Sequence, residues 1–431
     1  MKISGRLFAA IEILDDFDAR RVPLKTAIAD WGRNNRYAGA KDRAWISGLC
    51  LDVLRRRQSL ALAMNDDSAR SLVFGVLRFL WNVGVDDLSE AATGEHGPGP
   101  LSEVERQKLA SSPPLIAGDF PEWLTPHIER VFEDDAATIM GGFAERADVD
   151  LRLNTLKVEP EKALAALKTV KGEALPILTT TVRITAPAPS EKAPAVTVIP
   201  AFNKGWVEVQ DLGSQIAAAA AGDIKGVQVL DYCAGGGGKT LALAAMMKNT
   251  GQLYAYDRDP RRLKPLYHRA KRAGVRNLQI RSPAGSERLD DLKGKMDVVF
   301  VDAPCTGAGT WRRHPDTKWR LTEKQLARRM EEQDQVLREA AVFVKPGGRI
   351  IWVTCSFLME ENEDRLAAFH AAICGFAQSP TLESLDASGL LKPDGRVALA
   401  TCVTSDGAIR LTPNKLRADG FFIAVLQLAK G

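Results

Sequence analysis

The stretch that most constrains this chain is Val229-Leu230-Asp231-Tyr232-Cys233-Ala234-Gly235-Gly236-Gly237-Gly238-Lys239-Thr240. A short apolar run ends in an acid, four glycines follow, and an Ala- and Leu-rich helical pattern begins at once at Leu241. That order predicts a strand, a tight turn and a helix of an α/β sheet. Glycines let the backbone come close to a ligand, which then meets the free N–H groups of the helix start at the carboxyl ends of the strands. A Walker A loop would need Gly where Cys233 stands, and a dinucleotide fingerprint opening at Gly235 would need Gly where Thr240 stands. The spacing leaves a nucleoside-bearing ligand without a triphosphate.

One strand further, Leu253-Tyr254-Ala255-Tyr256-Asp257 ends in a second carboxylate, where an acid at a neighbouring strand tip can hydrogen-bond ribose hydroxyls. Loop and acid together resemble the S-adenosylmethionine site of a class I methyltransferase. Strands are predicted over 227–232, 253–257, 278–281, 297–302, 349–354 and 421–427, most of them separated by helical stretches. The alternation implies a doubly wound, mostly parallel sheet. Lys345-Pro346-Gly347-Gly348 reads as a helix-ending turn before the fifth of these strands, and the last strand as an antiparallel edge.

A chain of 431 residues with 45% hydrophobic content is too long for one typical domain and can bury more than one core. The pattern divides it at 1–140, 141–200 and 201–431. The first part is helical: Leu7, Ile11, Leu14 and Phe17 share one spacing, and Trp45, Leu49 and Val53 another. It also carries a basic run, Arg55-Arg56-Arg57, beside Arg20, Arg21, Arg33, Arg36, Lys41 and Arg43, which fits either a solvated face or an RNA contact. Residues 86–121 read as an irregular linker, broken by Gly97-Pro98-Gly99-Pro100 and Pro113-Pro114. Helical character resumes over 123–143, and a small α/β subdomain follows, interrupted by a surface loop at Pro187, Pro189 and Pro194.

A net charge of +4 is too modest to establish nucleic-acid binding by itself. No apolar run reaches membrane-spanning length, and Met1-Lys2-Ile3-Ser4 leads into Glu12, Asp15 and Asp16 rather than a signal-peptide core, so a cytoplasmic protein is expected. The six cysteines include no C-x-x-C pair and the five histidines show no ligand spacing beside them. Neither a disulfide framework nor a metal site is indicated.

The chemistry is expected after two strands. Val299-Phe300-Val301-Asp302 runs into Ala303-Pro304-Cys305-Thr306-Gly307, and Ile351-Trp352-Val353 into Thr354-Cys355-Ser356, which puts both cysteines on the sheet edge of the glycine loop. A lone cysteine is usually a small core residue. Cys50, Cys374 and Cys402 keep that reading, and Cys233 is expected to line the loop by its backbone.

At these residues the chain resembles the RsmB/Nop (Sun/Fmu) RNA cytosine-5 methyltransferases, most specifically from Gly205 to Gln427. The matching motifs are Gly205-Trp206-Val207-Glu208-Val209-Gln210-Asp211-Leu212-Gly213-Ser214-Gln215, Cys233 to Thr240, Asp302-Ala303-Pro304-Cys305, Arg313-His314-Pro315-Asp316, Lys318-Trp319, Thr354-Cys355-Ser356 and Glu361-Asn362-Glu363. Gly236 stands where the family has Pro. The resemblance implies a class I methyltransferase fold, Rossmann-like and doubly wound with a mostly parallel seven-stranded sheet. A small α/β subdomain and an all-helical NusB-like N-terminal domain precede it. S-adenosylmethionine is the implied cofactor, held by Cys233, Ala234, Gly235, Gly236, Gly237, Gly238, Lys239, Asp257 and Asp302. Where the family has an acid after the third strand this chain reads Arg281-Ser282-Pro283-Ala284-Gly285, so the adenine contact falls to Ser282, to backbone or to nothing polar.

Carbon 5 of cytosine is too poor a nucleophile to take a methyl group unless a thiolate first adds at carbon 6. By resemblance Cys355 is that nucleophile, Cys305 assists release, Asp302 hydrogen-bonds the base and Lys239 favours the thiolate. The implied partner is RNA, ribosomal RNA above all because of the helical N-terminal part; neither membrane nor metal is implied, and a monomer is assumed. Basic residues after Asp257 (Arg258, Arg261, Arg262, Lys264, Arg269, Lys271, Arg272) and after Cys305 (Arg312, Arg313, His314, Lys318, Arg320) are candidate phosphate contacts, and Trp311 and Trp319 are either base-stacking or core. A transfer RNA substrate and a non-catalytic assembly factor are the alternatives. A DNA enzyme would not need Thr354-Cys355-Ser356.

Overall fold

The computed structural model describes residues 1–430 except 112–117, 189–190, 192–194 and 284–287. Pro113-Pro114, Pro189, Pro194 and Ala284-Gly285 therefore lie outside the described residues. The chain forms two compact units, one of Met1–Arg146, Pro187–Ala193 and Trp311–Leu321 and one of the remainder. No described helix is long and apolar enough to cross a membrane.

The first unit is helical. Ile3–Arg20 buries Leu7, Leu14 and Phe17, as its spacing predicts, and ends where Arg21 turns left-handed and its N–H reaches the Phe17 carbonyl. Ala40–Arg55 buries Leu49 and Val53 against the same core. The stretch expected to be irregular contains two helices, Val85–Thr93 and Glu103–Ala110. The second is nucleated by a capping box in which Ser102 accepts the Glu105 N–H and Glu105 returns to the Ser102 N–H, a signal outweighed at sequence level by the surrounding Gly and Pro.

Residues 311–321 leave the chain of the second unit to join this core. Arg55 sends its guanidinium to the Arg312 carbonyl (2.8 Å from Nη2), and Lys318 Nζ returns to the Arg55 carbonyl (3.0 Å). Trp319 Nε1 donates to the Leu54 carbonyl at 2.6 Å, and Trp311 is 1% exposed with its ring against Phe143. Lys318 and Arg312 are 2% and 3% exposed. These two are therefore structural rather than phosphate contacts, and the tryptophans resolve as packing. The run Arg55-Arg56-Arg57 is paired as well, with Asp52, Asp119 and Asp18.

The second unit contains two sheets. A small antiparallel sheet has the order β2-β3-β1-β4, formed by β1 (Val149–Leu153), β2 (Glu173–Ala174), β3 (Thr181–Ile184) and β4 (Val207–Val209). The large sheet comprises β5 (Gln228–Asp231), β6 (Gln252–Tyr256), β7 (Leu278–Arg281), β8 (Met296–Asp302), β9 (Val344–Thr354), β10 (Phe376–Ser379), β11 (Ile409–Leu411) and β12 (Phe421–Leu428). Its order is β10-β12-β9-β8-β5-β6-β7, with β11 added beside β12. The five strands from β9 to β7 are parallel, and β12 pairs antiparallel to β9, β10 and β11. Val229, Val298, Phe300, Ile351 and Val353 face one buried layer and Leu230, Val299, Val301, Ile350 and Trp352 the other, which is why these strands read as continuous apolar runs.

Two expectations change. β12 is not an edge, because β10 pairs outside it. Lys345-Pro346-Gly347-Gly348 is not a turn before the strand but an irregularity within β9, where the pairing with β8 jumps between Met296↔Val344 and Val298↔Arg349. The chain winds one way from β5 to β6 and β7 and the other way to β8 and β9. This reversal opens a crevice at the carboxyl ends of β5 and β8.

Candidate active site

β5 ends at Asp231, and the loop turns into the helix Gly238–Met246 through Gly237, whose φ of +83° and whose approach to Leu266 (2.2 Å from a built Cβ to Cδ1) admit no side chain. Ala234 N–H is fixed by the Tyr256 carbonyl at 2.9 Å. Asp257, 3% exposed at the tip of β6, accepts the Gly235 N–H at 3.0 Å and the Asp259 N–H at 2.9 Å, and pairs with Arg262 at 3.0 Å. Loop and acid thus hold one another. Cys233 is half-buried, and burial, then the nearby Asp257, push its thiol well above the ordinary range. It stays a thiol. Ser282 follows β7 directly.

Asp231 carries an unexpected feature. Its Oδ2 accepts the Thr240 hydroxyl at 2.6 Å, while Oδ1 is buried without a hydrogen-bond partner among the described residues. Burial raises its pKa to about 7.

Lys239, in the first turn of that helix, donates to Asp302 Oδ2 at 2.8 Å at the end of β8. Burial would lower the Lys239 pKa, but Asp302, then Cys355 and Asp231, outweigh it and the net shift is upward. The ammonium stays charged beside the thiols. Cys305 and Cys355 follow β8 and β9, and their sulfurs lie 3.4 Å apart. The contact with Cys355, then burial and the charge of Glu361, raise the Cys305 pKa well above the ordinary thiol value.

The sequence gives Glu361-Asn362 no role of its own, and the fold supplies one. Glu361, fully buried, accepts the Thr306 N–H at 2.7 Å, the Thr306 hydroxyl at 2.5 Å and Gln333 Nε2 at 3.2 Å. Asn362 accepts the Thr354 hydroxyl at 2.5 Å and donates to the Ser356 carbonyl at 3.0 Å. One dipeptide therefore fastens both cysteine-bearing loops. Gly309 adds a third tie: its N–H reaches the Cys355 carbonyl at 2.9 Å, and its Cα lies where a Cβ would come within 2.0 Å of the Gly420 carbonyl oxygen. The sequence signals for this shell are the Glu361-Asn362-Glu363 motif, which carries the resemblance but no assigned role, and the apolar Phe357-Leu358 and Leu366 that bracket it.

A nucleoside-bearing cofactor fits what is present: a side-chain-free cradle at 235–238, a buried acid at the next strand tip suited to a diol, and no phosphate-binding lysine pointing into the loop, since Lys239 is committed to Asp302. Among the described residues no group of three or more His, Cys, Asp or Glu is disposed to hold a metal ion.

Residues 222–427 match the family described as 16S rRNA methyltransferase RsmB/F. The chain is 30% identical over 469 residues to the probable ribosomal RNA small subunit methyltransferase B of Synechocystis sp., covering 99% of this chain and 100% of that one. It is 28% identical over 418 residues to ribosomal RNA small subunit methyltransferase B of Klebsiella pneumoniae, covering 90% of each. The crystal structure of PH0851 superposes with a TM-score of 0.70 over 99% of both chains at 23% identity, a likeness of fold. At this identity and coverage the chain belongs to the RsmB/F family of 16S rRNA methyltransferases, and its cofactor is S-adenosylmethionine.

Proposed function

We propose that the protein methylates carbon 5 of a cytosine in small-subunit ribosomal RNA through a covalent adduct with Cys355. The observation that carries this reading is the pair of thiols 3.4 Å apart at the ends of adjacent parallel strands, with the Lys239–Asp302 pair on the same sheet edge. Bound S-adenosylmethionine supplies the sulfonium methyl group, held by the 233–238 loop, Asp257 and Ser282.

Cys355, as thiolate, adds to carbon 6 of the base, so a carbon–sulfur bond forms and electron density moves to carbon 5. Lys239 places a positive charge near Cys355. Asp302 hydrogen-bonds the base and stabilises the adduct. After methylation, carbon 5 bears one proton too many. A base must take it as the bond from Cys355 to carbon 6 breaks, and Cys305 is the neighbouring sulfur. For Cys305 to take that proton it acts as a thiolate, having first given its own proton to solvent. The target base has to leave any stack to reach this edge.

The two cysteines give a test in which the variants differ in kind. Cys355→Ala should reduce methylation to background and leave no protein bound covalently to RNA. Cys305→Ala should form the adduct but release it slowly, giving a denaturant-resistant band on a gel. The double variant should behave as Cys355→Ala. A covalent band with Cys355→Ala that vanishes with Cys305→Ala would exchange the two roles, and full activity in both single variants would end the two-cysteine mechanism. Bisulfite sequencing of small-subunit RNA from cells with and without the gene tests the substrate.

A further inference from the structure

Most of the basic residues that the sequence brings forward are neutralised within the fold. Along the helix Pro260–Ala273 and the loop before it, Arg258 pairs with Glu339, Arg261 with Asp259 and Arg262 with Asp257, and Arg269 and Arg272 share Glu208. Lys264 and Lys271 of that helix are exposed with no ion pair to a described carboxylate, and a further set of cations also has no such partners. It lines a cleft of about 610 Å³ in the second unit, at the amino-terminal end of the parallel strands. Lys225 precedes β5, Lys248 lies between the helix Gly238–Met246 and β6, and Arg276 precedes β7; all three are exposed. None is within ion-pair distance of a described carboxylate, and among the described residues Glu159 is the only acid on the cleft wall.

At the cleft floor, Arg152 of β1 is 5% exposed. Its Nε donates to Gln210 Oε1 at 2.7 Å, and its two terminal nitrogens make no hydrogen bond to a described residue. Glu208, the carboxylate whose charge acts on it, is committed to Arg269 and Arg272. A guanidinium so deeply buried and left without a carboxylate is a donor fork waiting for an anion. Leu156, Met246 and Leu390 give the same cleft an apolar wall. Cations at the rim, a buried fork at the floor and an apolar side together match a phosphate joined to a flat apolar group, which is the repeating unit of a single RNA strand.

We propose that this cleft is an RNA-binding subsite that seats a phosphate and base of the substrate strand on the end of the sheet opposite the cysteines. The inference rests on the RNA substrate proposed for the cysteine site. The helix Gly238–Met246 ties the two ends together: Lys239 stands in its first turn, and Ala242, Ala245 and Met246 line the cleft. At 1.5 Å per residue the two ends of that helix are about 12 Å apart, a distance that two or three extended nucleotides span.

The test uses the full chain, a small-subunit RNA transcript, and the triple variant Lys225→Ala/Lys248→Ala/Arg276→Ala, which alters only exposed side chains. The magnitude of the slope of log affinity against log salt should fall by about 2, at roughly 0.7 for each phosphate of a single strand that is no longer neutralised. The KM for RNA should rise about tenfold or more, with kcat and S-adenosylmethionine affinity unchanged. An unaltered slope and KM in the variant, with a wild-type protein that binds and methylates the transcript, would overturn the subsite alone. A wild-type protein that does not bind the transcript overturns the RNA reading and the subsite together. Inorganic pyrophosphate binding to the cleft, with RNA affinity indifferent to the substitutions, would assign it to a small anion and so also overturn the proposal.

Discussion

The two ends of the parallel sheet treat charge in opposite ways. At the carboxyl end the charged groups of the site have partners: Lys239 with Asp302, Arg262 with Asp257, Glu361 with the Thr306 N–H and hydroxyl. At the amino end Lys225, Lys248, Arg276 and Arg152 have no ion pair to a described carboxylate. Chemistry on a base needs groups whose positions are fixed before the substrate arrives, and paired charges fix positions. Capture of a polyanion needs the reverse, since a cation already neutralised by a carboxylate has little attraction left to offer a phosphate. On the proposed subsite, a count of Arg and Lys along the sequence is a poor guide to the RNA path, and the absence of a nearby carboxylate is the guide to test.

This contrast breaks if substitutions at the carboxyl end change RNA affinity rather than rate. The largest effect should come from Glu361→Ala, which leaves the Thr306 N–H and hydroxyl without their acceptor and frees the Cys305 loop. A displacement of about 1 Å at a reacting group costs on the order of a hundredfold, so kcat should fall by about that factor, with S-adenosylmethionine and RNA affinities held within about twofold. Glu361→Gln, which keeps an acceptor oxygen, should recover part of the rate. Equal losses in rate and in both affinities would mean that Glu361 supports the fold and not the cysteine geometry.

A smaller effect is expected at Asp257. On the proposed cofactor site its removal deletes a charged acceptor, about 1.5 to 3 kcal/mol, so Asp257→Ala should weaken S-adenosylmethionine binding roughly ten- to a hundredfold and leave the salt slope for RNA untouched. Calorimetry that finds unchanged cofactor affinity would remove Asp257 from the site.

The smallest effect concerns pH and sharpens the contrast between the two units. Asp231 has a folded pKa of about 7 against an ordinary 3.8, so between about 4 and 7 the folded state binds the extra proton and stability falls as pH rises. Lys318, in the helical unit, is lowered by burial from 10.5 to about 7. Between about 7 and 10.5 the unfolded state binds the extra proton, and stability rises with pH. Asp231→Asn should flatten the dependence of Tm on pH only in the acid window, and Lys318→Met only in the alkaline one. A single window affected by both substitutions would contradict the assignment.

Much of the carboxyl edge of the sheet was legible in the chain. Strand, glycine loop and helix are local events, and Asp257, Asp302, Cys305 and Cys355 each sit at the end of an apolar run whose direction in a parallel sheet is set by the right-handed crossover. The family motifs added roles to these positions. The bracing of the two cysteine loops was not legible, because Glu361 meets Thr306 and Asn362 meets Thr354 only after β8 and β9 have paired. The edge strand was misplaced for the same reason: whether β12 is covered depends on β10, a four-residue strand with too little pattern to announce itself.

By itself, then, the sequence determined the elements and the sheet edge on which the reactive groups stand, since hydrophobic period and turn chemistry act over a few residues. Which cations remain unpaired was decided by tertiary structure. Lys318 and Arg312 look like an RNA-facing run until the fold buries them against Arg55, and Arg152 reads as an ordinary strand residue until the fold buries it beside Gln210 with Glu208 committed to Arg269 and Arg272. The physical reason is that a charge is free or satisfied according to what lies within a few ångströms of it, and that neighbourhood is assembled from segments far apart in the chain.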